Sequence, residues 1–177
     1  WLTFGLSIFW TLPFPSWEQL ISVVSAALVL SYAIAPVTAA GLRRNAPDLP
    51  RPFRVRAFGI IGPISFMISA LIVYWSGWNT LSWLLGLQIV MFVVYVMCKG
   101  KVPEHTVSLA QQVKSSLWLI VFYALIILFS WLGSFGGTGV IGHPWDTVLV
   151  AAMSLGIYYW GARSCLPQAN FSGDEEE

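Results

Sequence analysis

Apolar residues run almost unbroken through long stretches of the chain, and polar residues collect in the short breaks between them. A helix that crosses a membrane needs about 20 mostly apolar residues. Six stretches come near that length. The first covers residues 1–12 and ends at Pro13 and Pro15, which stop a helix. The second covers residues 17–42. Ser16 and Gln19 form a capping box at its start, Glu18 suits the positive end of the helix dipole, and Pro36 bends its far end. The third covers residues 57–75, with Pro63 in its first half. The fourth covers residues 78–97 and follows after a very short turn at Gly77, so these two form a tight antiparallel hairpin. The fifth covers residues 116–132. The sixth is shorter, covers residues 145–161, and is marked at its start by Pro144 and Asp146.

The basic residues then set the orientation. Arg43, Arg44, Arg51, Arg54 and Arg56 form one cluster, Lys99, Lys101 and Lys114 a second, and Arg163 stands near the end. Placing residues 43–56 in the cytoplasm sends the third and fourth spans out and back, and the fifth and sixth out and back again. All nine Lys and Arg then lie on one side, as the positive-inside rule demands. An arginine at the bilayer centre costs about 2.5–3.5 kcal/mol on insertion scales, and no span carries one there. Tryptophans flank every outer turn of this threading: Trp10 and Trp17, Trp75 and Trp78, Trp131 and Trp145. Amphipathic rings favour the headgroup level, so these pairs read as an aromatic belt.

Composition agrees with a lipid environment. Of 177 residues, 57% are hydrophobic and only 10% charged, against about 45–50% and about 25% in soluble domains. Mean hydropathy is +0.73. The net charge of +1 is strongly segregated, and no continuous basic face offers itself to nucleic acid. The two cysteines, Cys98 and Cys165, lie beside basic residues at cytoplasmic ends, and no spacing points to a metal. The chain starts at Trp1 inside an apolar run, with no basic segment and cleavage site of a signal peptide, and reads as a piece of something longer.

Residues 102–115 link the fourth and fifth spans. Val107, Ala110 and Val113 recur at a spacing of three, which fits a short interfacial helix, and a plain loop fits equally. The tail, residues 164–177, ends in four acidic residues and reads as solvated.

Candidate chemistry is sparse. Gly137, Gly139 and Gly142 match GxGxxG, but a dinucleotide site needs that pattern between a strand and a helix. Residues 134–142 read instead as a flexible outer connector. Asn170-Phe171-Ser172 matches a glycosylation acceptor but falls in the cytoplasmic tail. His143 and Asp146 lie close enough to suggest a proton or metal site, and their place at a helix start favours capping. Glu18 has the same reading. The span centres contain no Asp, Glu, His, Lys or Arg, the usual marks of ion and proton pathways. Gln88 is an amide well inside a span, a position that more often makes an interhelical hydrogen bond than a substrate contact. No catalytic pair and no cofactor site emerges, so the chain does not read as an enzyme.

One stretch carries a resemblance. Residues 31–55, SYAIAPVTAAGLRRNAPDLPRPFRV, resemble the amino acid–polyamine–organocation permease superfamily, in which a helix ends in Leu-Arg-Arg before a Pro-Asp-Leu-Pro-Arg-Pro-Phe-Arg-Val connector. Pro47, Pro50 and Pro52 keep that connector extended, and its arginines hold it at the anionic inner leaflet. The resemblance implies an all-α integral membrane protein: the C-terminal helices of a five-plus-five inverted-repeat transporter, with further peripheral helices. Residues 1–12 correspond to the end of the ninth helix, 17–42 to the tenth, and the next two spans to the eleventh and twelfth. The last two spans match the fourteen-helix subset that includes aspartate/proton symporter-like permeases.

On this reading residues 1–42 close the transporter core and residues 43–56 form the basic cytoplasmic connector. Residues 57–98 form one helical hairpin, 99–115 a cytoplasmic connector, 116–163 a second hairpin, and 164–177 the tail. The family holds its amino-acid substrate at broken helices near the midplane, which lie upstream of Trp1 by resemblance. No substrate residue is therefore expected in this chain. The expected function is secondary transport of amino acids across the cell membrane by the intact protein, coupled to protons or to exchange. The expected partners are the lipid bilayer, the missing N-terminal part of the chain and the amino-acid substrate. The residues singled out for topology and headgroup contact are Arg43, Arg44, Arg51, Arg54 and Arg56. The rival expectation is a membrane-anchoring or assembly domain of a non-transport protein.

Overall fold

Every apolar stretch folds as a helix. The computed structural model describes residues 1–11, 16–47, 55–98 and 109–165. Its elements are α1 (Leu2–Thr11), α2 (Trp17–Asn45), α3 (Phe58–Trp75), α4 (Gly77–Cys98), α5 (Leu109–Leu132) and α6 (Trp145–Ser164). No strand occurs among the described residues. The protein is thus all-α. Among the described residues α2, α3 and the Lys114–Leu132 part of α5 are long and apolar enough to cross a membrane.

Local chemistry explains the ends. The Ser16 hydroxyl accepts the Gln19 amide at 3.3 Å and caps α2. The reciprocal half of the capping box is absent: Oε1 of Gln19 is buried with no partner among the described residues. The helix runs unbroken through Pro36 to Asn45. At the α3–α4 turn Ser76 stays helical and Gly77 takes a φ of 85°, a conformation glycine adopts without steric cost.

Two expectations need correction. The structure starts the fifth helix at Leu109 instead of residue 116, so Ala110 and Val113 belong to its first turns and not to a separate interfacial helix. Residues 109–116 contain no glycine or proline, and Gln and Lys are good helix formers, so polarity alone does not end the helix. The sixth helix runs on to Ser164 for the same reason: Ala162 and Arg163 continue it past the apolar stretch. Arg51, Arg54, Lys99, Lys101, Val107, the Asn170 motif and the acidic tail lie outside the described residues.

The core lies among α2, α3, α5, α6 and the first half of α4. One face of α2 buries Val23, Ala26, Leu30, Ala33, Val37 and Gly41, a spacing of three to four. It packs on α3 and α6. The centre of the bundle is aromatic: the Phe66 ring of α3 lies 6.4 Å from Trp118 and 5.1 Å from Phe122 of α5, and 6.1 Å from Tyr158 of α6. Small residues set how closely the helices approach. A Cβ at Gly161 would sit 2.8 Å from both Trp118 and Val37, so α6 meets α5 and α2 there without room for a side chain.

The other elements are less enclosed. Every α1 residue whose side chain is described is exposed. In α4, Leu81, Leu84 and Leu85 are buried, but no described residue from Gly86 onward is.

Candidate functional site

Polar side chains meet at the end of the bundle formed by the α3–α4 turn and the α5–α6 loop. That loop, residues 133–144, is rich in glycine. Its amides return to the carbonyls that the last turn of α5 leaves free. Thr138 donates to Trp131 at 2.7 Å, Ile141 to Leu132 at 2.9 Å, and Gly139 to Gly133 at 3.1 Å. Gly139 has a φ of 70°, and a Cβ on Gly137 would collide with the Ser130 and Trp131 carbonyls. The Trp78 amide of α4 donates to the Phe135 carbonyl at 3.0 Å and ties the loop to the neighbouring hairpin. This corrects the expected flexible connector: the glycines of the GxGxxG match serve a tight fold-back.

The loop closes over Asp146. Its carboxylate is buried, with 1% of its surface exposed. It accepts from the Tyr74 hydroxyl at 2.8 Å, from the Ser134 hydroxyl, and from the Ser134 amide at 3.3 Å. Its other oxygen accepts from the Thr147 amide at 2.6 Å and hydroxyl at 3.2 Å. Nδ1 of the exposed His143 lies 3.6 Å away. The Phe135 ring meets both Tyr74 (5.5 Å) and His143 (6.3 Å) edge to face. Asp146 was expected to cap the sixth helix. It does receive one amide of the first turn, but its main partners are on α3 and the loop. The N-cap is Pro144, without a side-chain bond. A carboxylate surrounded by donors satisfies buried polar groups that would otherwise be costly. It joins α3, the loop and α6 into one rigid corner.

Sequence reasoning found Asp146 and His143 but missed Tyr74 and Ser134. The tyrosine hydroxyl lies 72 positions from its partner, and no spacing rule links them. Ser130, buried beneath this corner on α5, has no partner for its hydroxyl among the described residues.

The opposite end carries the basic residues. The Arg43 guanidinium stacks 4.0 Å above the Phe58 ring, and it is half-buried. Arg44 and Arg56 are exposed. The Asn45 side chain donates to the Cys165 carbonyl at 3.1 Å, so the ends of α2 and α6 meet here. Cys165 also fills the space beside Gly41. Burial pushes its thiol above the usual range. Glu18 is exposed in the first turn of α2, at the place its capping role requires. Gln88 is exposed and makes no interhelical bond among the described residues.

No family model matches the chain. No solved structure matches it either. Two curated proteins of Bacillus subtilis do. The chain is 57% identical over 176 residues to the aspartate-proton symporter, a match that covers 99% of this chain and 34% of that protein. It is 31% identical over 153 residues to the glutamate/serine transporter AimA, covering 85% of this chain and 28% of the relative. Both relatives are transporters. The chain spans about a third of the length of the curated relatives it matches. These matches and the apolar helices support a multi-pass membrane protein.

Proposed function

We propose that the intact protein is a secondary active amino-acid transporter of the cell membrane, a permease of the amino acid–polyamine–organocation superfamily and of its fourteen-helix subset. In it, this chain supplies C-terminal scaffold and peripheral helices. The observation that carries the reading is the 57% identity to an aspartate-proton symporter along nearly the whole chain. Aspartate is accordingly the first substrate to test and a proton the first coupling ion. The packing supports the scaffold role: the polar corner at Asp146 joins helices, and its buried carboxylate is taken up by donors of the protein itself. Alternating access rocks one bundle against another, and the second must be rigid. The basic end, with Arg43, Arg44 and Arg56, faces the cytoplasm in this reading, where anionic headgroups attract it.

The test is uptake of labelled aspartate into proteoliposomes. The intact polypeptide is expected to give saturable uptake that grows with an inward proton gradient, and residues 1–177 alone to give none. An intact polypeptide that transports no amino acid defeats the proposal. Saturable uptake by residues 1–177 defeats the scaffold assignment.

A further inference from the structure

The packed face of α4 changes character halfway along the helix. Leu81, Leu84 and Leu85 are buried against the neighbouring helices. With Gln88 they follow the i, i+3, i+4, i+7 rule of a single helix face. Gln88 therefore points the same way as the three leucines, and Met91 continues the row. Yet Gln88 is exposed, and so is Met91. Among the described side chains of this face, none beyond Leu85 is buried. Gln88 is the twelfth of the 22 residues of α4, counting from Gly77, which puts its amide near mid-membrane when the helix spans the bilayer. Hydrocarbon offers an amide neither donor nor acceptor, and leaving such a group unpaired there is costly.

We propose that the Gln88–Met91 face of α4 seats a further transmembrane helix of the same transporter polypeptide, which hydrogen-bonds the Gln88 amide. This rests on the transporter reading given above. Two observations select the occupant. The face continues an interface already packed inside the bundle, in line with the buried Leu81, Leu84 and Leu85, whereas Val90 lies on the opposite side of the helix, away from that interface. The relatives also have ample length for it, since the chain covers only 34% and 28% of them.

Photo-crosslinking in membranes tests this. Benzoylphenylalanine is placed at position 88, 91 or 90 of the intact polypeptide, and the adducts are identified by mass spectrometry. Positions 88 and 91 are expected to link to a peptide of the same polypeptide outside residues 1–177, and position 90 to lipid. Lipid adducts alone at 88 and 91, or links between two copies, overturn the inference. Where the bulky probe prevents insertion, Gln88→Cys in a Cys98→Ser/Cys165→Ser background gives the same answer. It should be protected from a membrane-permeant maleimide relative to Val90→Cys, and equal labelling counts against the packing. Aspartate uptake by the same preparations separates the two proposals. Uptake with lipid adducts alone defeats only the helix packing. Cross-links in a polypeptide whose unsubstituted form takes up no amino acid support the packing and defeat the transport reading.

Discussion

Tyr74→Phe removes one oxygen from the corner that joins α3 to α6. The hydroxyl lies 2.8 Å from the Asp146 carboxylate, and both side chains are almost fully buried. A hydrogen bond to a charged group contributes about 1.5–3 kcal/mol. Asp146 keeps the Ser134 and Thr147 donors after the change, so the expected loss is near the lower part of that range, about 2 kcal/mol. The phenyl ring and its edge contact with Phe135 remain, which confines the change to the polar bond. For a chain of this size about 2 kcal/mol lowers Tm by about 4–8 °C. Asp146→Ala should cost more, about 3–5 kcal/mol, because it strands the Tyr74, Ser134 and Thr147 donors together. The assay is thermal unfolding in detergent micelles of wild type, both single variants and the double variant. The two losses should be non-additive, with a coupling of about 1–2 kcal/mol. Strict additivity, or a Tyr74→Phe protein with unchanged Tm, would show that the bond contributes nothing to the folded protein.

Gly161→Ala should destabilise by about 1–3 kcal/mol through overpacking against Trp118 and Val37, whereas Gly156→Ala, with nothing within 4 Å of the new methyl, should be neutral or stabilising in the same melting assay. Arg43→Ala should lose the stacking on Phe58 and lower stability by about 0.5–1 kcal/mol. Cys165 should react with maleimide more slowly at neutral pH than a free thiol and gain on it as pH rises, because burial favours the unreactive neutral form; equal rates across pH would contradict the burial. Asn45→Cys, in a background lacking Cys98 and Cys165, should resist an impermeant thiol reagent in intact cells, and labelling from outside would reverse the threading.

The helices were legible because lipid is a simple solvent: it demands long apolar runs, and the runs are there to be counted. What the runs could not show was where a helix continues once it leaves the hydrocarbon. Gln111, Gln112 and Lys114 looked like connector because they are polar, and the structure makes them the first turns of α5. The loop at 134–142 looked flexible because it is glycine-rich. Its order comes from α5 carbonyls and from Trp78, a residue more than fifty positions away in sequence. Asp146 stood out as a carboxylate at a helix start, yet its partners could be found only once α3 and α6 were side by side. Gln88 was visible as a polar residue in an apolar span. The direction it faces became meaningful only when Leu81, Leu84 and Leu85 were seen to be buried.

The placement of polar contacts says how the bundle is held. Apolar side chains in a membrane gain little from leaving lipid for each other, so close packing and hydrogen bonds must join the helices. Here close packing occupies the interior, through Phe66, Trp118, Phe122 and Tyr158 and the close approach of helices at Gly161. Among the described residues, long-range side-chain hydrogen bonds lie at the two ends: Tyr74 to Asp146 at one, Asn45 to the Cys165 carbonyl at the other. Helix α6 takes part in both, so it is pinned to α3 at its start and to α2 at its end. A helix fixed at both termini can neither tilt nor slide without breaking one of these bonds. That rigidity suits the part of a rocking transporter that must stay still. The uncovered elements are α1 and the second half of α4, which keep exposed faces while α2, α3, α5 and α6 close on one another. On the proposed reading, changes at the Asp146 corner should lower stability and leave substrate choice intact. Changes on the open face of α4 should alter how this unit joins the rest of the transporter.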